Sequence, residues 1–492
     1  MKRSAGVLLS MSSLPSKYGI GCFSREAYEF IDFLKSAGQK YWQILPLGHT
    51  GYGDSPYQAF SSFAGNPYFI DPDSLLKDGL LTEDECKKAV LGEGDVDYGA
   101  VYETRYPLLK KAYGRWHADS GFKKFRTSEK WLSEYALFMA LKDSFGGKPW
   151  SEWDNDIRRG EPQAVERYRR KLEKEIVFYE FIQYEFFKQW RQLKNYASSA
   201  GVEIIGDIPI YCALDSADVW SAPELFQLDG DNVPIAAAGC PPDGFSAEGQ
   251  LWGNPLYDWE QHRETGYSWW ISRLSHCFKL YDVVRIDHFR GFDEYFSIPW
   301  GSRNALNGKW KKACGRELFK AAEKALGKKE IIAEDLGFMT DSVKRLVKAC
   351  GFPNMKVLEF AFDSRDTGNR EDYLPHNYGR NCAAYTGTHD NQTIQAWFKT
   401  ISDGERQAAR DYLCDSFTPD DKLYKAFIAL VMRSRADLCI IPMQDWLGLD
   451  DTSRMNTPST SEGNWKWRLE KSSLTKELCS EMKKMTEIYG RC

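Results

Sequence analysis

The chain has 492 residues, a mass of 56.5 kDa and 42% apolar residues, which excludes a small disulfide scaffold and a disordered protein. Its 65 Lys and Arg residues are balanced by 70 Asp and Glu, so the net charge of -5 gives no general attraction for nucleic acid or an anionic membrane. We therefore expect a neutral partner.

Cysteine spacing and hydropathy bear on the compartment. The twelve cysteines, from Cys22 to Cys492, stand singly and form no C-x-x-C pair, which is typical of free thiols in the cytoplasm. The apolar stretch at residues 5–9 is too short for a secretion signal and has no cleavage site after it. The longest apolar run, residues 426–432, is far below the roughly 20 residues that cross a bilayer.

Short apolar runs that end in polar residues recur along the chain, and helical periodicity fills the stretches between them, as in α/β proteins. Because the runs are continuously apolar, we expect parallel strands buried on both faces. Eight runs predict a (β/α)8 TIM barrel, although an open doubly wound sheet has the same local pattern. The predicted strands are residues 6–11, 41–47, 202–211, 282–289, 330–336, 357–362, 382–388 and 438–444.

Two intervals between the predicted strands are too long for one helix. After the second strand, residues 73–195 have apolar side chains at spacings of three and four, which predicts a mostly helical inserted subdomain. After the third strand, residues 216–266 are rich in Pro, Gly and Trp without a clear period, which predicts a loop-rich insertion over the barrel mouth. We therefore treat residues 1–492 as a single catalytic barrel with these two insertions.

Acidic residues stand at the ends of five predicted strands. In a parallel barrel the functional groups lie at these carboxyl ends, so the five acids are expected at one rim. A single acid fits a helix N-cap or a loop salt bridge equally well, whereas five at one rim favour a catalytic site. The five are Asp207, Asp287, Glu334, Asp390 and Asp445.

Asp287 and Glu334 belong to the fourth and fifth strands, which are neighbours about 4.8 Å apart in a barrel. Their carboxyl groups then match the separation of roughly 5 to 5.5 Å that is typical of retaining glycosidases. Arg285 shares a strand face with Asp287 and favours an ionised nucleophile, although an ordinary interior salt bridge is its alternative. Glu334 follows apolar residues, which favours a raised pKa and the acid/base role. Asp390 is expected to hold sugar hydroxyls and to stabilise oxocarbenium charge.

Histidines and aromatic residues add the features of a sugar site. Two of the seven histidines, His288 and His389, adjoin candidate acids, which favours hydrogen bonds to substrate over core packing. Rings are frequent in the predicted rim loops, Tyr57 and Trp252 among them, and as a set they suit the C–H faces of a polymeric sugar, although each alone is better explained as loop core. The sequence has no H-E-x-x-H motif, no P-loop and no G-x-G-x-x-G after a strand, so neither a metal nor another cofactor is predicted.

Several motifs, in order along nearly the whole chain, resemble those of glycoside hydrolase family 77, the 4-α-glucanotransferases, also called amylomaltases or disproportionating enzymes. They are long enough to make a chance match negligible. The motifs are LLSMSSLPSKYGIG, WQILPLGHTGYGDSPYQAFSSFAGNPYFID, GDIPIYCALDSADVW, GQLWGNPLYDW, VVRIDHFRGF, IIAEDLG, YTGTHDNQT and NWKWR.

The resemblance implies a barrel akin to that of the α-amylases, without a separate C-terminal β-domain. On the matching motifs, Asp287 falls on the nucleophile, Glu334 on the general acid/base and Asp390 on the transition-state stabiliser. The expected sugar contacts are Arg285, His389, Tyr57, Trp252, Asp207, His288, Ser55 and Asn456.

Two departures from the family pattern concern the acceptor side. Arg454 and Asn456 are followed by Pro-Ser-Thr at residues 458–460, where the family usually has Pro-Gly-Thr. Gln444 precedes Asp445 at a position where an acid is common.

The resemblance implies transfer between α-1,4-glucan donors and glucose or maltooligosaccharide acceptors, with no nucleic acid, membrane or obligate protein partner. A plain α-1,4-glucan hydrolase on the same barrel is the nearest alternative. Two others are a magnesium-dependent enolase-type barrel, with Asp207, Asp287 and Glu334 as ligands, and a non-catalytic glucan-binding protein.

Overall fold

A computed structural model describes residues 2–51, 53–242, 246–337, 339–364, 370–460 and 462–492, and in this part of the chain there are twelve strands. Eight of them, all parallel, form a closed barrel in the order β1-β2-β3-β6-β9-β10-β11-β12, with β12 paired to β1. The predicted barrel is therefore confirmed. The strands are β1 (Ser4–Leu8), β2 (Tyr41–Gln43), β3 (Glu203–Ile208), β4 (Ala236–Cys240), β5 (Gln250–Pro255), β6 (Val283–Ile286), β7 (Glu294–Pro299), β8 (Lys309–Lys312), β9 (Ile331–Ala333), β10 (Asn354–Val357), β11 (Cys382–Tyr385) and β12 (Leu438–Pro442).

The barrel strands are buried on both faces, as continuous apolar runs require. Every residue of β1 and β12 is buried, and these two strands close the ring by five paired residues, from Ser4–Leu438 to Leu8–Pro442. Packing requires a glycine at position 206 of β3, because a Cβ there would lie 2.2 Å from the ring of Tyr281. The glycine therefore lets the Tyr281 ring pack directly on the backbone of β3.

The sixth barrel strand differs from the prediction. The apolar run at residues 357–362 was expected to be the strand, but the strand is Asn354–Val357 and Leu358–Phe362 forms a 3-10 helix. Met355 and Val357 are buried, whereas Asn354 and Lys356 are half-buried, so the strand alternates and lacks the continuous apolar character of its neighbours. The next crossover also lacks an α-helix among its described residues, which form 3-10 turns instead.

Nineteen α-helices lie in the described residues, and those that follow barrel strands pack one apolar stripe on the barrel. In α14, for example, Val343, Leu346 and Val347 are buried at spacings of three and one. The helices are α1 (Arg25–Ser36), α2 (Pro72–Lys77), α3 (Glu83–Lys88), α4 (Tyr98–Arg115), α5 (Ser120–Ser128), α6 (Leu132–Ser144), α7 (Asn155–Arg158), α8 (Pro162–Lys171), α9 (Glu173–Ala200), α10 (Ala217–Ser221), α11 (Trp259–Glu264), α12 (Ser268–Leu280), α13 (Gly315–Leu326), α14 (Asp341–Cys350), α15 (Ile394–Thr400), α16 (Asp403–Leu413), α17 (Tyr424–Arg433), α18 (Met443–Leu447) and α19 (Lys476–Ile488).

Two long excursions leave the barrel, one after β2 and one after β3. Between β2 and β3 the chain forms α2 to α9, and α9 returns to the barrel and ends at Gly201, which adopts the left-handed conformation (φ 82°). Between β3 and β6, the segment predicted to be loop-rich contains β4 and β5. The remaining two strands, β7 and β8, come from a further excursion after β6 that the sequence analysis missed.

These four strands form an antiparallel sheet in the order β5-β4-β7-β8 beside the barrel. Their sequences, AAAGC, QLWGNP, EYFSIP and KWKK, include Ala, Gly and Lys, which are uncommon in strands. The pattern of apolar β-branched runs therefore does not detect them.

Three further features are the apolarity of the helices, the state of the cysteines and the elements that follow β12. None of the helices in the described ranges is long and apolar enough to cross a membrane. All twelve cysteines lie in the described part of the chain, and each is a free thiol. After β12, the described residues form α18, α19, short 3-10 turns and loops.

Candidate active site

Asp287 and Glu334 directly follow two neighbouring barrel strands. Ile286 of β6 is paired with Ala333 of β9, so the next residue on each strand lies at the same level of the carboxyl-terminal mouth. The backbone N–H of Glu334 donates to the carbonyl of Ile286 at 3.1 Å, which continues the ladder to the carboxylates. The predicted pair on adjoining strands is therefore present, with both acids at one end of the barrel.

The carboxyl group of Glu334 lies against the backbone of the Asp287 loop. Its Oε2 accepts from the N–H of His288 at 2.6 Å, and its Oε1 accepts from the N–H of Leu336 at 2.8 Å. Burial and the charge of Asp287 raise the pKa of Glu334 to about 8, against the opposing effect of Arg285 and the two amides. At neutral pH Glu334 therefore holds a proton, as the sequence analysis expects of an acid.

Asp287 is linked to a buried ion-pair network. Its Oδ1 lies 3.0 Å from Nη2 of Arg285, and Nη1 of Arg285 donates to Oδ2 of Asp207 at 2.5 Å. Burial raises the pKa of Asp287 to about 6, so it outweighs Arg285, which was expected to keep the pKa low. The carboxyl group is nevertheless ionised at neutral pH, and its side chain remains 29% exposed towards the mouth.

Asp207 was expected to contact the sugar, but in the structure it is buried and binds two neighbouring side chains. Its side chain is 0% exposed, and its Oδ2 also accepts a 2.9 Å hydrogen bond from the hydroxyl of Tyr57. Arg285 and Tyr57 both bind this same carboxylate oxygen. Asp207 therefore orients these two side chains from below instead of reaching a ligand.

His288 and Trp252 form a pair on the side of the cleft that faces the antiparallel sheet. Their ring centroids are 4.8 Å apart in an edge-to-face arrangement. His288 has a left-handed backbone conformation (φ 50°), and its Nε2 has no hydrogen-bond partner among the described residues. Burial lowers the pKa of His288 to about 3, so the ring is neutral. A buried nitrogen without a partner beside Asp287 and Glu334 fits a ligand contact.

Asp390 lies opposite this pair, on the loop after β11. Its Oδ2 is 3.3 Å from Nε2 of His389, and 44% of its side chain is exposed. Tyr57 stacks on His389 with ring centroids 5.1 Å apart and planes 16° apart. The Tyr57 hydroxyl, through Asp207, thus joins the Asp390 side of the cleft to the Arg285–Asp287 side.

Ser55 was expected to contact the sugar, but its Oγ accepts a hydrogen bond from the backbone N–H of Tyr57 and shapes the turn that positions this ring.

The segment at residues 454–456 clamps the Asp390 loop. Nδ2 of Asn456 donates to Oδ1 of Asp390 at 2.6 Å, and its backbone N–H donates to the carbonyl of His389 at 3.1 Å. Nη2 of Arg454 donates to the carbonyl of Asp390 at 2.6 Å. Asn456, expected as a sugar contact, therefore has a direct role in orienting the third carboxylate.

We expect Asn456→Ala to lower kcat/KM about tenfold or more, because a hydrogen bond to a charged group contributes about 1.5 to 3 kcal/mol and Asp390 loses one. Initial rates with maltotriose, with the unfolding temperature measured alongside, give the result. Asn381→Ala is the matched control, because Nδ2 of Asn381 donates to the carbonyls of Gly351 and Phe352 away from Asp390. Equal losses in the two variants would contradict a specific role for Asn456.

The supports behind Asp390 were not predicted from the sequence. Asn391 accepts from the N–H and hydroxyl of Thr388, both at 2.9 Å, and donates to Glu359 at 3.0 Å, so it closes the loop that contains Asp390. Trp465, in the NWKWR motif, lies 5.9 Å from the rings of both Tyr57 and His389. Only the motif signalled Trp465, and no local pattern pointed to Glu359.

Asp445 lies apart from the open cleft. Its side chain accepts from the hydroxyl of Thr386 at 2.5 Å and from the N–H of Ile394 at 2.8 Å, and the residue is 1% exposed. Its role in the described structure is therefore local support, although it is neither the helix N-cap nor the salt bridge expected as the alternative for a single strand-end acid.

A (β/α)8 barrel with two carboxyl groups on neighbouring strand ends, a third opposite them and aromatic rings around them belongs to the class of barrel enzymes that act on glycosidic bonds. The model of glycoside hydrolase family 77, described as 4-α-glucanotransferase, matches residues 9–475. This chain therefore belongs to the 4-α-glucanotransferases of family 77, and it is a glycosyltransferase-type enzyme.

Individual relatives agree over the full length of the chain. A 4-α-glucanotransferase from Clostridium butyricum is 48% identical over 491 residues, which cover 98% of this chain and all of the relative. One from Streptococcus pneumoniae is 46% identical and covers 100% of this chain and 98% of the relative. The solved structure of the amylomaltase from Streptococcus agalactiae, in complex with acarbose, is 43% identical, with a TM-score of 0.95 and complete coverage of both chains.

Proposed function

We propose that this enzyme transfers a segment of an α-1,4-glucan to the 4-hydroxyl of another glucan or of glucose by a retaining double displacement. The observation that supports this mechanism is the placement of Asp287 and Glu334 at paired strand ends, with the pKa of Glu334 above that of Asp287. One carboxylate is then ionised and the other protonated at the same pH, which is what the first step requires.

In the first step, the ionised carboxylate of Asp287 attacks the anomeric carbon, and Glu334 gives its proton to the departing glycosidic oxygen. A covalent glycosyl-enzyme forms and the bond to the leaving sugar breaks. Arg285, within 3.0 Å of Asp287, holds the nucleophile in position and offsets the charge beside it. Asp390 stabilises the positive charge that develops on the sugar ring.

In the second step, the roles of the acid are reversed. Glu334, now a carboxylate, takes the proton from the 4-hydroxyl of the acceptor, whose oxygen attacks the anomeric carbon and releases Asp287. Two inversions retain the anomeric configuration. Transfer has to outcompete water, so the acceptor must be held close to the intermediate by rings such as Trp252 and Tyr57.

The proposed ligands are α-1,4-glucan donors and glucose or maltooligosaccharide acceptors. The related amylomaltase was solved in complex with acarbose, which supports a saccharide in the corresponding cleft of this chain. His389, His288 and Arg285 supply polar groups, and Tyr57 and Trp252 supply ring faces for such a ligand. We propose the cytoplasm as the location, because twelve free thiols suit a reducing compartment.

The contacts of Arg285 disfavour the enolase-type alternative. The guanidinium binds both Asp207 and Asp287, so it lies between two of the three acids that would have to ligate magnesium. Among the described residues there is no group of three or more His, Cys, Asp or Glu side chains arranged to hold a metal ion. A non-catalytic binding protein would not need the paired acids.

Transfer and hydrolysis differ in their products from maltotriose. We expect a ladder of longer oligosaccharides together with glucose, because the intermediate is intercepted by a sugar hydroxyl. Chromatography of the products over a time course is the measurement. Glucose and maltose alone, at every time point, would identify a hydrolase instead.

The two raised pKa values predict a bell-shaped pH dependence of kcat/KM. Activity should rise as the pH passes about 6, where Asp287 loses its proton, and fall as it passes about 8, where Glu334 loses the proton that it must donate. Initial rates from pH 4 to 10, with thermal unfolding recorded at each pH, test this expectation. A maximum near pH 4, between the ordinary values of about 3.9 and 4.3, would contradict it.

A further inference from the structure

The antiparallel sheet beside the barrel has an unusually apolar outer surface. Among the described residues, six of the eleven exposed large apolar side chains lie on this sheet or on its connecting loops. Exposed apolar side chains scattered singly are ordinary, whereas a cluster of them marks a binding surface. The six are Val233, Ile235, Leu251, Trp300, Leu306 and Trp310.

Strand register places four of them on one face. Trp300 extends β7 and donates to the carbonyl of Ile235 at 3.2 Å, so these two residues are cross-strand neighbours. Gly239 is paired with Leu251, and Gly239 and Trp310 are both paired with Phe296. Paired residues share a face, and so do residues two apart on one strand. We call the face with Ile235, Leu251, Trp300 and Trp310 the tryptophan face.

The opposite face of the sheet is packed, and on the tryptophan face the centre is also buried, so that the exposed side chains lie at its margins. Ala238, Tyr295 and Ser297, which alternate with the residues above, are all buried. Phe296, on the tryptophan face, forms a small core with Ile298 and Ala305 under the β7–β8 connection. Phe296, the cross-strand partner of Trp310, precedes Trp300 by four residues, which is roughly 13 Å along a strand. One exposed indole therefore lies on either side of this core.

The tryptophan face and the catalytic cleft lie on the two sides of β5, which is an edge strand of the sheet. Leu251 lies on the tryptophan face. The next residue of β5, Trp252, lies in the cleft, where its ring centroid is 4.8 Å from that of His288. The guanidinium carbon of Arg290, three residues after Asp287, lies 3.7 Å from the ring centroid of Trp310. A polymer that leaves the cleft beside Trp252 therefore has to pass around only this edge strand to reach the surface.

The chemistry of the face favours a neutral sugar polymer over a second copy of the chain. The edge strand β8 reads KWKK, and all four of its residues are exposed. Three lysines on an edge strand oppose edge-to-edge pairing with an identical strand. Indole rings, in contrast, offer flat apolar faces to the C–H groups of a pyranose.

We propose that the tryptophan face is a second α-glucan-binding surface, which holds the part of a long glucan that lies outside the catalytic cleft. This inference rests on the proposed function, because it takes α-glucan as the polymer. Short substrates such as maltotriose fill only the cleft and do not use the surface.

The test replaces Trp300 by Ala, Leu and Phe. Binding to amylopectin is measured by retardation in native gels, in an Asp287→Asn background that prevents turnover, and the KM values for amylose and maltotriose are measured in the active background. Phe417→Ala is the control, because Phe417 is 97% exposed on the connection between α16 and α17. Unfolding temperatures show whether each variant is folded.

We expect Trp300→Ala and Trp300→Leu to weaken amylopectin binding and raise the KM for amylose about fivefold. The KM for maltotriose should stay within about twofold, and Trp300→Phe and Phe417→Ala should resemble the parent protein. Unchanged amylopectin binding in Trp300→Ala would overturn the proposal. If Trp300→Leu binds amylopectin as well as Trp300→Phe does, the surface is instead a general apolar surface for a protein or lipid. A parent dimer that Trp300→Ala converts to a monomer in sedimentation would identify a second copy as the occupant.

The readouts separate this inference from the proposed function. If the intact chain makes no longer oligosaccharides from maltotriose, the proposed function fails, whatever the gels show. If it makes them and the gels show no effect of Trp300, only the second surface is lost.

Discussion

Asp287→Asn is expected to lower transglycosylation at least about a hundredfold, because the amide can neither attack the anomeric carbon nor offset its charge. The substitution keeps the shape of the side chain at the end of β6. The measurement is the initial rate of product formation from maltotriose at saturating substrate. A variant that keeps more than about a hundredth of the parent rate would contradict the assignment of the nucleophile.

The same strand provides the matched control. Asp282 lies at the other end of β6, where its Oδ2 accepts from the N–H of Ile204 at 2.9 Å, and Lys194 lies 3.3 Å from its Oδ1. We expect Asp282→Asn to retain its rate within about threefold, because it can lose only a partly exposed ion pair. A comparable loss in both variants would show that β6 tolerates no such change and would remove the evidence for chemistry at Asp287.

Glu334→Ala should be equally impaired with maltotriose, whose leaving sugar needs a proton, by about a hundredfold or more. With α-maltosyl fluoride the leaving group needs no proton, so the glycosyl-enzyme should still form. Added azide, a nucleophile that needs no base, should then restore turnover and give the α-maltosyl azide. Product configuration is read by proton NMR.

The stereochemical outcome distinguishes the two acids. Azide with Asp287→Ala should enter the space of the missing carboxylate and give the β-azide, whereas Glu334→Ala should give the α-azide. Glu330→Gln, at the opposite end of β9, is the control and should behave like the parent. A β-azide from Glu334→Ala would mean that the roles of the two acids are reversed.

The placement of the two acids at one mouth was predictable because it depends on one rule that the barrel imposes. Residues that follow neighbouring parallel strands meet at one mouth, so Asp287 and Glu334 could be placed together once the strands were recognised. The burial of these side chains was harder to predict. The pKa of Asp287, for example, depends on how much protein surrounds Arg285 and Asp207. The same lack of depth information explains the error at Asp207, a strand-end acid like the others that has no exposed surface.

Contacts between distant segments were beyond the sequence. The stacking of Tyr57 on His389 and the bond from Asn456 to Asp390 join loops that share no periodicity or spacing. The sixth strand was misplaced because β10 alternates, while the more apolar Leu358–Phe362 beside it turns into a 3-10 helix. The four-stranded sheet was missed because its strands contain Ala, Gly and Lys where strands usually have β-branched residues.

The closure of the barrel by β1 and β12 has a consequence for biosynthesis. β1 can pair with β2 early in synthesis, whereas its other partner, β12, emerges much later, and the clamp at residues 454–456 later still. Nascent chains shorter than this have no completed reaction centre, because Asp390 is not yet held. The complete arrangement around Asp390 is therefore expected late in synthesis, because it depends on pairings between residues far apart in the sequence.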